Sequence, residues 1–125
     1  MTALERGEEV RAVIHYAKCR LVTDSTEEKS PDAIGGMSLQ TFEYFAPMTI
    51  RNPKAFVTSS ETILINHPQR GYVHNYIKIK IFDDNNVEIT ARYLTPGTLD
   101  VVMDETFFGK ISDGEDENGI SFFVK

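Results

Sequence analysis

The segment 72–94 constrains the fold most strongly, because it contains two runs in which apolar and polar side chains alternate. Isoleucines at every second position of 77–81 alternate with lysines, and a second alternating run occupies 87–93. A period of two sends one set of side chains to a core and the other to water, as in a half-buried strand. The polar residues 83–86 between the runs indicate a turn, so the segment is predicted to be a β-hairpin.

The loop length of this hairpin follows from matching its two faces. A two-residue loop would set apolar residues opposite polar ones. A three-residue loop at 83–85 places Ile79 opposite Ile89. It also places Lys80 opposite Glu88, a cross-strand pair worth about 0.2–1 kcal/mol. The last loop residue, an asparagine, is then expected in the left-handed conformation, which asparagine tolerates.

Further strands are predicted wherever β-branched and aromatic residues cluster between turn signals. Residues 10–22 carry apolar side chains at both parities, which favours a strand covered on both faces, with a helix as the alternative. A polar stretch at Ser59 and Ser60 suggests a bulge, and 23–36 reads as a loop ending in two glycines. The strands predicted outside the hairpin are 10–22, 37–46, 54–66, 99–111 and 120–124.

The predicted fold is mostly β and antiparallel, in a single domain of 125 residues. Residues 2–7 fit one or two turns of N-terminal helix. All five prolines lie between the predicted strands, in keeping with the exclusion of proline from sheet interiors. A meander of about seven strands hides its edges best by curling, so we expect a small lipocalin-like barrel.

Composition excludes several classes of partner. The net charge of −6 argues against nucleic acid and against anionic membrane surfaces, which both attract basic proteins. No apolar run approaches the roughly 20 residues of a membrane-spanning helix. The start of the chain lacks the apolar segment of a signal peptide. A single cysteine, Cys19, rules out an internal disulfide framework.

No pattern in the chain points to catalysis or to a metal. His67 and His74 flank one turn, but three or four ligands in a recognised spacing are lacking. Cys19 has no nucleophile motif around it, and the acidic run 113–119 does not match a calcium-binding loop. Glu105 is expected in solvent or at a rim. We therefore expect a protein that is not an enzyme, with no catalytic residue, no metal site and no certain cofactor.

The aromatic and aliphatic residues of the inward parity suggest a binding site instead. A lipocalin-like barrel would hold one small apolar ligand, of the fatty acid, retinoid or carotenoid class. Tyr44 and Tyr93 would supply polar contacts, because a buried tyrosine hydroxyl usually finds a partner. The candidate ligand-binding residues are Phe42, Tyr44, Ile63, Ile77, Ile79, Ile89, Tyr93, Met103 and Phe107.

Two alternatives remain open beside a ligand carrier. The interior can be packed solid, with a spare apolar sheet face that forms a homo-oligomer or docks a partner protein. The chain can also be a small α+β enzyme, such as a cyclase or isomerase, although that fold requires more helix than the sequence offers.

The N-terminal region contains a motif made up of Leu4, Gly7, Val10, Arg11, Val13, Ile14, Tyr16, Cys19, Gly35, Gly36 and Met37. This motif resembles the opening of the VirK-like family of small, mostly exported bacterial proteins. Similarity in outline extends over 55–94. The family has no established catalytic residues, so the resemblance implies none here. It implies a secreted protein, in which Met1 would be an expression start.

Overall fold

A computed structural model describes residues 2–23, 26–112 and 118–124. In these residues a four-residue helix and one 3-10 turn, Tyr16–Lys18, accompany ten strands. The helix and strands are α1 (Thr2–Glu5), β1 (Val10–His15), β2 (Arg20–Thr23), β3 (Thr26–Glu28), β4 (Ile34–Ser38), β5 (Phe42–Phe45), β6 (Phe56–His67), β7 (Gly71–Phe82), β8 (Asn86–Leu94), β9 (Val101–Lys110) and β10 (Ile120–Val124).

The strands form two antiparallel sheets. The small sheet has the order β10-β1-β4, and the large sheet has the order β3-β2-β9-β8-β7-β6-β5. The mostly β, antiparallel fold with a short N-terminal helix is thus confirmed. The closed lipocalin-like barrel is not: in the described residues β3 and β5 are the outer strands of the large sheet and do not pair with each other. The small sheet packs against one end of one face of the large sheet, so a core forms without closure.

The central hairpin has the predicted register. Ile79 lies opposite Ile89 and Lys80 opposite Glu88, and Asn85 has a φ of 70°. Asp84 fixes the turn, since its Oδ1 accepts a hydrogen bond from the Asn86 N–H at 3.1 Å. Lys54 Nζ donates to the other carboxylate oxygen of Asp84 at 2.7 Å. This bond, more than the backbone one, lowers the pKa of Asp84 to about 2.

Two predicted strands are each divided between the two sheets. The 10–22 segment turns at Tyr16–Lys18, so β1 joins the small sheet and β2 the large one. Apolar residues occur at both parities there because two strands, not one, bury a face each. The 37–46 segment likewise supplies the end of β4 and all of β5. The predicted loop 23–36 instead contains β3 and the start of β4.

Two further predictions are wrong. The register of β6 against β7 runs without a break from Phe56 to His67, so no bulge occurs at Ser59 and Ser60. The predicted meander also fails at the end of the chain, because β10 pairs with β1 in the small sheet and not with β9. The acidic segment 113–117 lies outside the described residues.

The core lies between the two sheets. Ile14 and Ile120 of the small sheet and Ile79 and Ile89 of the large sheet have no exposed surface. Phe107 of β9 completes this cluster at 3% exposure. Side chains on this side of the large sheet form its inner face, and those on the opposite side form its outer face.

The outer face carries a second, smaller aromatic cluster. Phe56 is buried there beneath Phe45, whose ring centroid lies 5.0 Å away, and beside Phe82 at 6.0 Å. The ammonium group of Lys80 lies 4.3 Å from the centroid of the Phe56 ring. Lys80 is on the predicted outward face, but it covers an aromatic ring and is half-buried.

Candidate functional site

The small sheet covers one end of the inner face, and the face is only partly covered from there to Val73, which is 4% exposed near the β6–β7 turn. Residues paired across the large sheet share a face. One row across the inner face therefore runs Glu61, Ile77, Ala91, Glu105, and the next runs Ile63, Asn75, Tyr93, Met103. We call Ile77, Ala91, Glu105 and the four residues of the second row the open patch.

Exposure separates the open patch from the core. Ile79 is 0% exposed, whereas Ile63, on the same face, is 51% exposed. Ile77 and Ala91 mark the boundary, because they are half-buried and pack against the core. Asn75, Tyr93 and Met103 of the second row are half-buried as well. The open patch is thus a shallow apolar surface that continues directly from the core.

Tyr16 lies at the boundary between the covered and open parts. It is in the 3-10 turn that links the two sheets, and its ring centroid lies 4.7 Å from that of Phe107. Burial raises the pKa of the Tyr16 hydroxyl to about 12, with smaller contributions from Cys19, Tyr93 and Glu105. The hydroxyl therefore stays protonated at neutral pH.

Glu105 gives this boundary an acidic side. Burial raises the pKa of its carboxyl, and the nearby carboxylate of Glu28 raises it further. Glu28 lies opposite Leu21 on β3, so it shares the inner face with Glu105. Two acidic side chains therefore stand together at one margin of the open patch.

Tyr93 is held at the opposite margin by the β6–β7 turn. The rings of His67 and Tyr93 meet edge to face with centroids 5.2 Å apart, and the guanidinium of Arg70 lies 5.9 Å from the Tyr93 ring centroid. Arg70 Nη1 also donates to the carbonyl of Val102 at 3.3 Å. His67 Nδ1 accepts hydrogen bonds from the backbone N–H groups of Gln69 and Arg70.

All nine predicted ligand-binding residues lie on the inner face, but the structure does not bring all of them to one surface. Ile79, Ile89 and Phe107 are buried in the core, and Phe42 and Ile77 lie half-buried at its margin. Tyr44 is on the edge strand β5 and is 45% exposed. The predicted residues that reach the open patch are Ile63, Ile77, Tyr93 and Met103.

Sequence reasoning missed Tyr16 and Asn75 as members or neighbours of this surface. Asn75 is on the inward parity of β7, so alternation would have found it if polar residues had been considered. Tyr16 falls inside one long predicted strand. Nothing local marks the 3-10 turn, because the segment Tyr-Ala-Lys-Cys contains neither glycine nor proline.

The other candidate residues do not assemble into a chemical site. His67 is on the inner face, whereas His74 lies opposite Leu64 on the outer face, so the two do not converge. Among the residues that the structure describes, no group of three or more His, Cys, Asp or Glu side chains is arranged to hold a metal ion.

Cys19 is a buried free thiol. Its Sγ donates a weak hydrogen bond to the His15 carbonyl at 3.6 Å, and it lies against the backbones of Gly109 and Gly119. Burial raises the pKa of the thiol. A protonated, covered thiol is a poor nucleophile, because the thiolate is the reactive form.

Two clefts lie away from the open patch. One, of about 520 Å³, runs along the margin of β1 and β4 between residues 7–11 and 38–42. Another lies beside β2 and β3, between residues 17–20 and 27–32. No helix in the described part of the chain is long and apolar enough to cross a membrane.

The fold and the open patch define a small antiparallel β protein with two packed sheets and one apolar surface left uncovered. The family model described as VirK protein matches residues 1–99. The chain therefore belongs to the VirK family. Its structure is similar to the crystal structure of a VirK family protein from Legionella pneumophila. The TM-score is 0.70 and the identity 16%, over 98% of this chain and 90% of that one. No curated protein matches the chain significantly.

Proposed function

We propose that this VirK family chain is a non-enzymatic interaction module that docks a partner protein on the open patch. The observation that carries the proposal is the contrast between a solid core and an uncovered apolar end of the same face. Ile79 and Ile89 are completely buried between the sheets, whereas on the same face Ile63 is 51% exposed and Met103 is half-buried. Exposed apolar surface of this kind commonly marks a protein interaction site.

The shape of the patch favours a protein over an enclosed small molecule. Small-molecule sites are cavities that bury 70–90% or more of a drug-sized ligand. The open patch is instead a shallow sheet surface, and beyond it Val73 is buried again, at 4% exposure, where Arg70 reaches the Val102 carbonyl. A partner segment with its own apolar face would cover Ile63, Ile77 and Met103 at once.

The charges at the patch select the chemistry of the partner. Glu105 and Glu28 stand together at the margin formed by β9 and β3. A lysine or arginine beside the apolar residues of the partner would neutralise both carboxylates. The proposed partner therefore presents an apolar segment with at least one basic residue next to it, since complementary charge fixes register and accelerates encounter.

Site-specific photocross-linking tests this proposal in cells that naturally make the protein. A benzophenone amino acid replaces Met103 in the open patch or, as the matched control, Lys78 on the outer face of the same sheet. We expect a discrete heteromeric adduct from Met103 that is absent from Lys78, and weaker when Glu105→Lys is added. Equal adducts from both positions, or none from Met103, would contradict docking at this surface.

A second candidate function is a carrier of an amphipathic small molecule of the fatty acid, retinoid or carotenoid class. It is favoured by the hydroxyls of Tyr16 and Tyr93 and the guanidinium of Arg70, which surround apolar side chains. The ligand would lie on the open patch and not inside a closed barrel. Saturable binding of a fluorescent fatty acid that is abolished by Met103→Trp, and weakened by Tyr93→Phe, would support this candidate over docking.

We further propose that the protein acts outside the cell that makes it, as its family resemblance implies. The test is to detect the native protein in culture medium or periplasmic extract against a cytosolic marker. Recovery in the cytosolic fraction alone would contradict export without bearing on the docking proposal.

A further inference from the structure

The edge of β6 is free over most of its length. β5 pairs with residues 56–59 of β6, and in the described part of the chain no strand pairs with residues 60–67 on that side. Ile63 and Leu64 in this segment are 51% and 54% exposed. Residues 60–66 contain one charged side chain, Glu61, and no lysine or proline. Long apolar edges without such protection are templates for pairing with another chain.

The hydrogen-bonding pattern shows which backbone groups face outward. The Asp83 N–H donates to the Ala55 carbonyl at 3.1 Å, and extension of the β6–β7 register sets these two residues opposite each other. Residues of an antiparallel pair alternate between bonding to the neighbour and pointing away from it. Odd-numbered residues of β6 therefore bond to β7. The N–H and C=O groups of the even-numbered residues 60–66 point to the free edge.

We infer that β6 pairs with β6 of a second copy of this chain and forms a two-fold symmetric dimer centred on Leu64. The two-fold axis sets Leu64 opposite the second copy's Leu64 and Thr62 opposite its Asn66. The backbone N–H and C=O groups of these residues point to the free edge, so the pairing forms about six backbone hydrogen bonds. The interface is isologous, and each off-centre contact therefore occurs twice.

Side chains on the inner face match in the same register. Ile63 meets the second copy's Ile65, and Glu61 meets its His67. The Nδ1 atom of His67 already accepts two backbone hydrogen bonds, so the ring carries its hydrogen on Nε2 when neutral. That N–H is available to donate to the carboxylate of Glu61. If the two-fold axis lay instead at Thr62 or Asn66, whose backbone groups also point to the free edge, Glu61 and His67 would no longer lie opposite each other.

The opposite edge of the large sheet does not offer the same match. β2 pairs with residues 106–108 of β9 and leaves residues 101–104 uncovered on that side. Asp104 and Glu105 lie at this edge, and self-pairing would bring the carboxylates of two copies into one short segment. Like charges opposite each other destabilise strand pairing. The charge pattern thus disfavours self-pairing of β9, whereas residues 60–66 of β6 carry only one charged side chain, Glu61.

The dimer does not depend on the docking proposal: both involve Ile63, but strand pairing uses the backbone edge of β6, whereas docking also requires the side chains of Met103 and Glu105. Sedimentation velocity of the full chain at increasing concentration should show a monomer–dimer equilibrium. Leu64→Lys should shift it to monomer, and Tyr72→Lys, an exposed outer-face position on β7, should not. A monomer at every concentration, or open-ended polymers, would overturn the inference.

A charge exchange tests the register. Glu61→Lys sets lysine opposite His67, and His67→Glu sets two glutamates opposite each other, so each variant alone should dimerise about tenfold more weakly. Glutamate at position 67 retains an acceptor for the turn. A mixture of the two variants places the introduced lysine of one chain opposite the introduced glutamate of the other and should restore dimers as mixed species. If the mixture dimerised as weakly as either variant alone, residues 61 and 67 of the two copies would not face each other.

Cysteine cross-linking gives an independent measurement. Paired residues at the centre have Cα atoms about 5.5 Å apart, within disulfide range. Leu64→Cys should therefore form a covalent dimer rapidly under mild oxidation. Thr62→Cys lies on the same edge and face but meets Asn66, so it should cross-link slowly. Equal rates for the two variants would contradict an axis at Leu64.

Discussion

Ile79 and Ile63 occupy the same inner face of the large sheet, yet Ile79 is fully buried and Ile63 is 51% exposed. The difference arises because the small sheet covers only the end of the face that contains Ile79. Alternation along a strand identifies the face of a side chain, whereas its burial depends on what packs above it. Two residues of one type on one face therefore have different energetic roles.

Truncation should reveal this difference directly. Ile79→Ala removes buried methyl groups and leaves a cavity, and we expect it to lower the free energy of unfolding by about 2–5 kcal/mol. Ile63→Ala, the matched control in the open patch, should cost less than about 1 kcal/mol, since exposed side chains contribute little. Urea denaturation measures both. Equal losses would mean that the Ile63 side chain is covered in the folded protein.

A second prediction concerns the glycine beneath Cys19. A Cβ at Gly109 would lie 2.5 Å from Ile120 Cδ1 and 2.9 Å from Cys19 Sγ, closer than van der Waals contact allows. Gly109→Ala should therefore destabilise the fold by about 1–3 kcal/mol, the usual cost of overpacking. Gly36→Ala is the matched control, because a Cβ there meets nothing nearer than 3.5 Å. Thermal denaturation of both variants provides the comparison.

The thiol of Cys19 should be unreactive in the folded protein. Its burial raises the pKa and limits access to reagents. We expect a disulfide reagent such as Ellman's reagent to titrate much less than one thiol per chain in buffer, and one thiol in denaturant. Non-reducing electrophoresis of the freshly purified chain should show monomer. A strong covalent dimer band would show that Cys19 reaches the surface.

The central hairpin was predictable because its pairing is local. Its register follows from matching Ile79 with Ile89 and Lys80 with Glu88, all within one short segment. The division of strands between two sheets was not predictable by the same reasoning. β1 and β2 are separated by a short segment without a glycine or proline, and their different sheets are chosen by partners far away in sequence, β10 and β9.

The same limit applies to the candidate site. Parity placed all nine predicted residues on the inner face, from Phe42 to Phe107. It did not show that β1 and β10 would cover part of that face and leave the rest open. Tyr16 was not predicted because its position depends on the turn between the sheets, and a strand interpretation of 10–22 hides that turn.

Lys80 should contribute more to stability than an ordinary surface lysine. Its ammonium lies 4.3 Å from the Phe56 ring centroid and 5.3 Å from that of Phe82. Cation–π contacts at exposed sites contribute about 0.5–1 kcal/mol. Lys80→Ala should therefore cost at least that much more than Lys78→Ala, an exposed lysine on the same strand and face. Similar urea midpoints for the two variants would show that the ring contacts contribute nothing.

The hydroxyl of Tyr16 should make stability depend on pH in the alkaline range. Burial raises its pKa from 10.0 to about 12 in the folded protein. Between these values the unfolded chain loses the tyrosine proton while the folded chain keeps it. By linkage, stability then falls as pH rises from about 10 to 12, and the contribution is fully present below pH 10. Urea midpoints measured from about pH 8 to pH 11 should decline less steeply in Tyr16→Phe than in the unmodified protein.

The control for this measurement is Tyr72→Phe, because Tyr72 is 65% exposed and lies far from the boundary of the core. Its profile should parallel that of the unmodified protein over the same range. At about pH 8 the Tyr16→Phe variant isolates the packing of the hydroxyl itself, since neither state has ionised. If the urea midpoint still declined steeply at alkaline pH in Tyr16→Phe, the proton would be lost from another group. Tyr16 would then not be the buried hydroxyl at the boundary of the open patch.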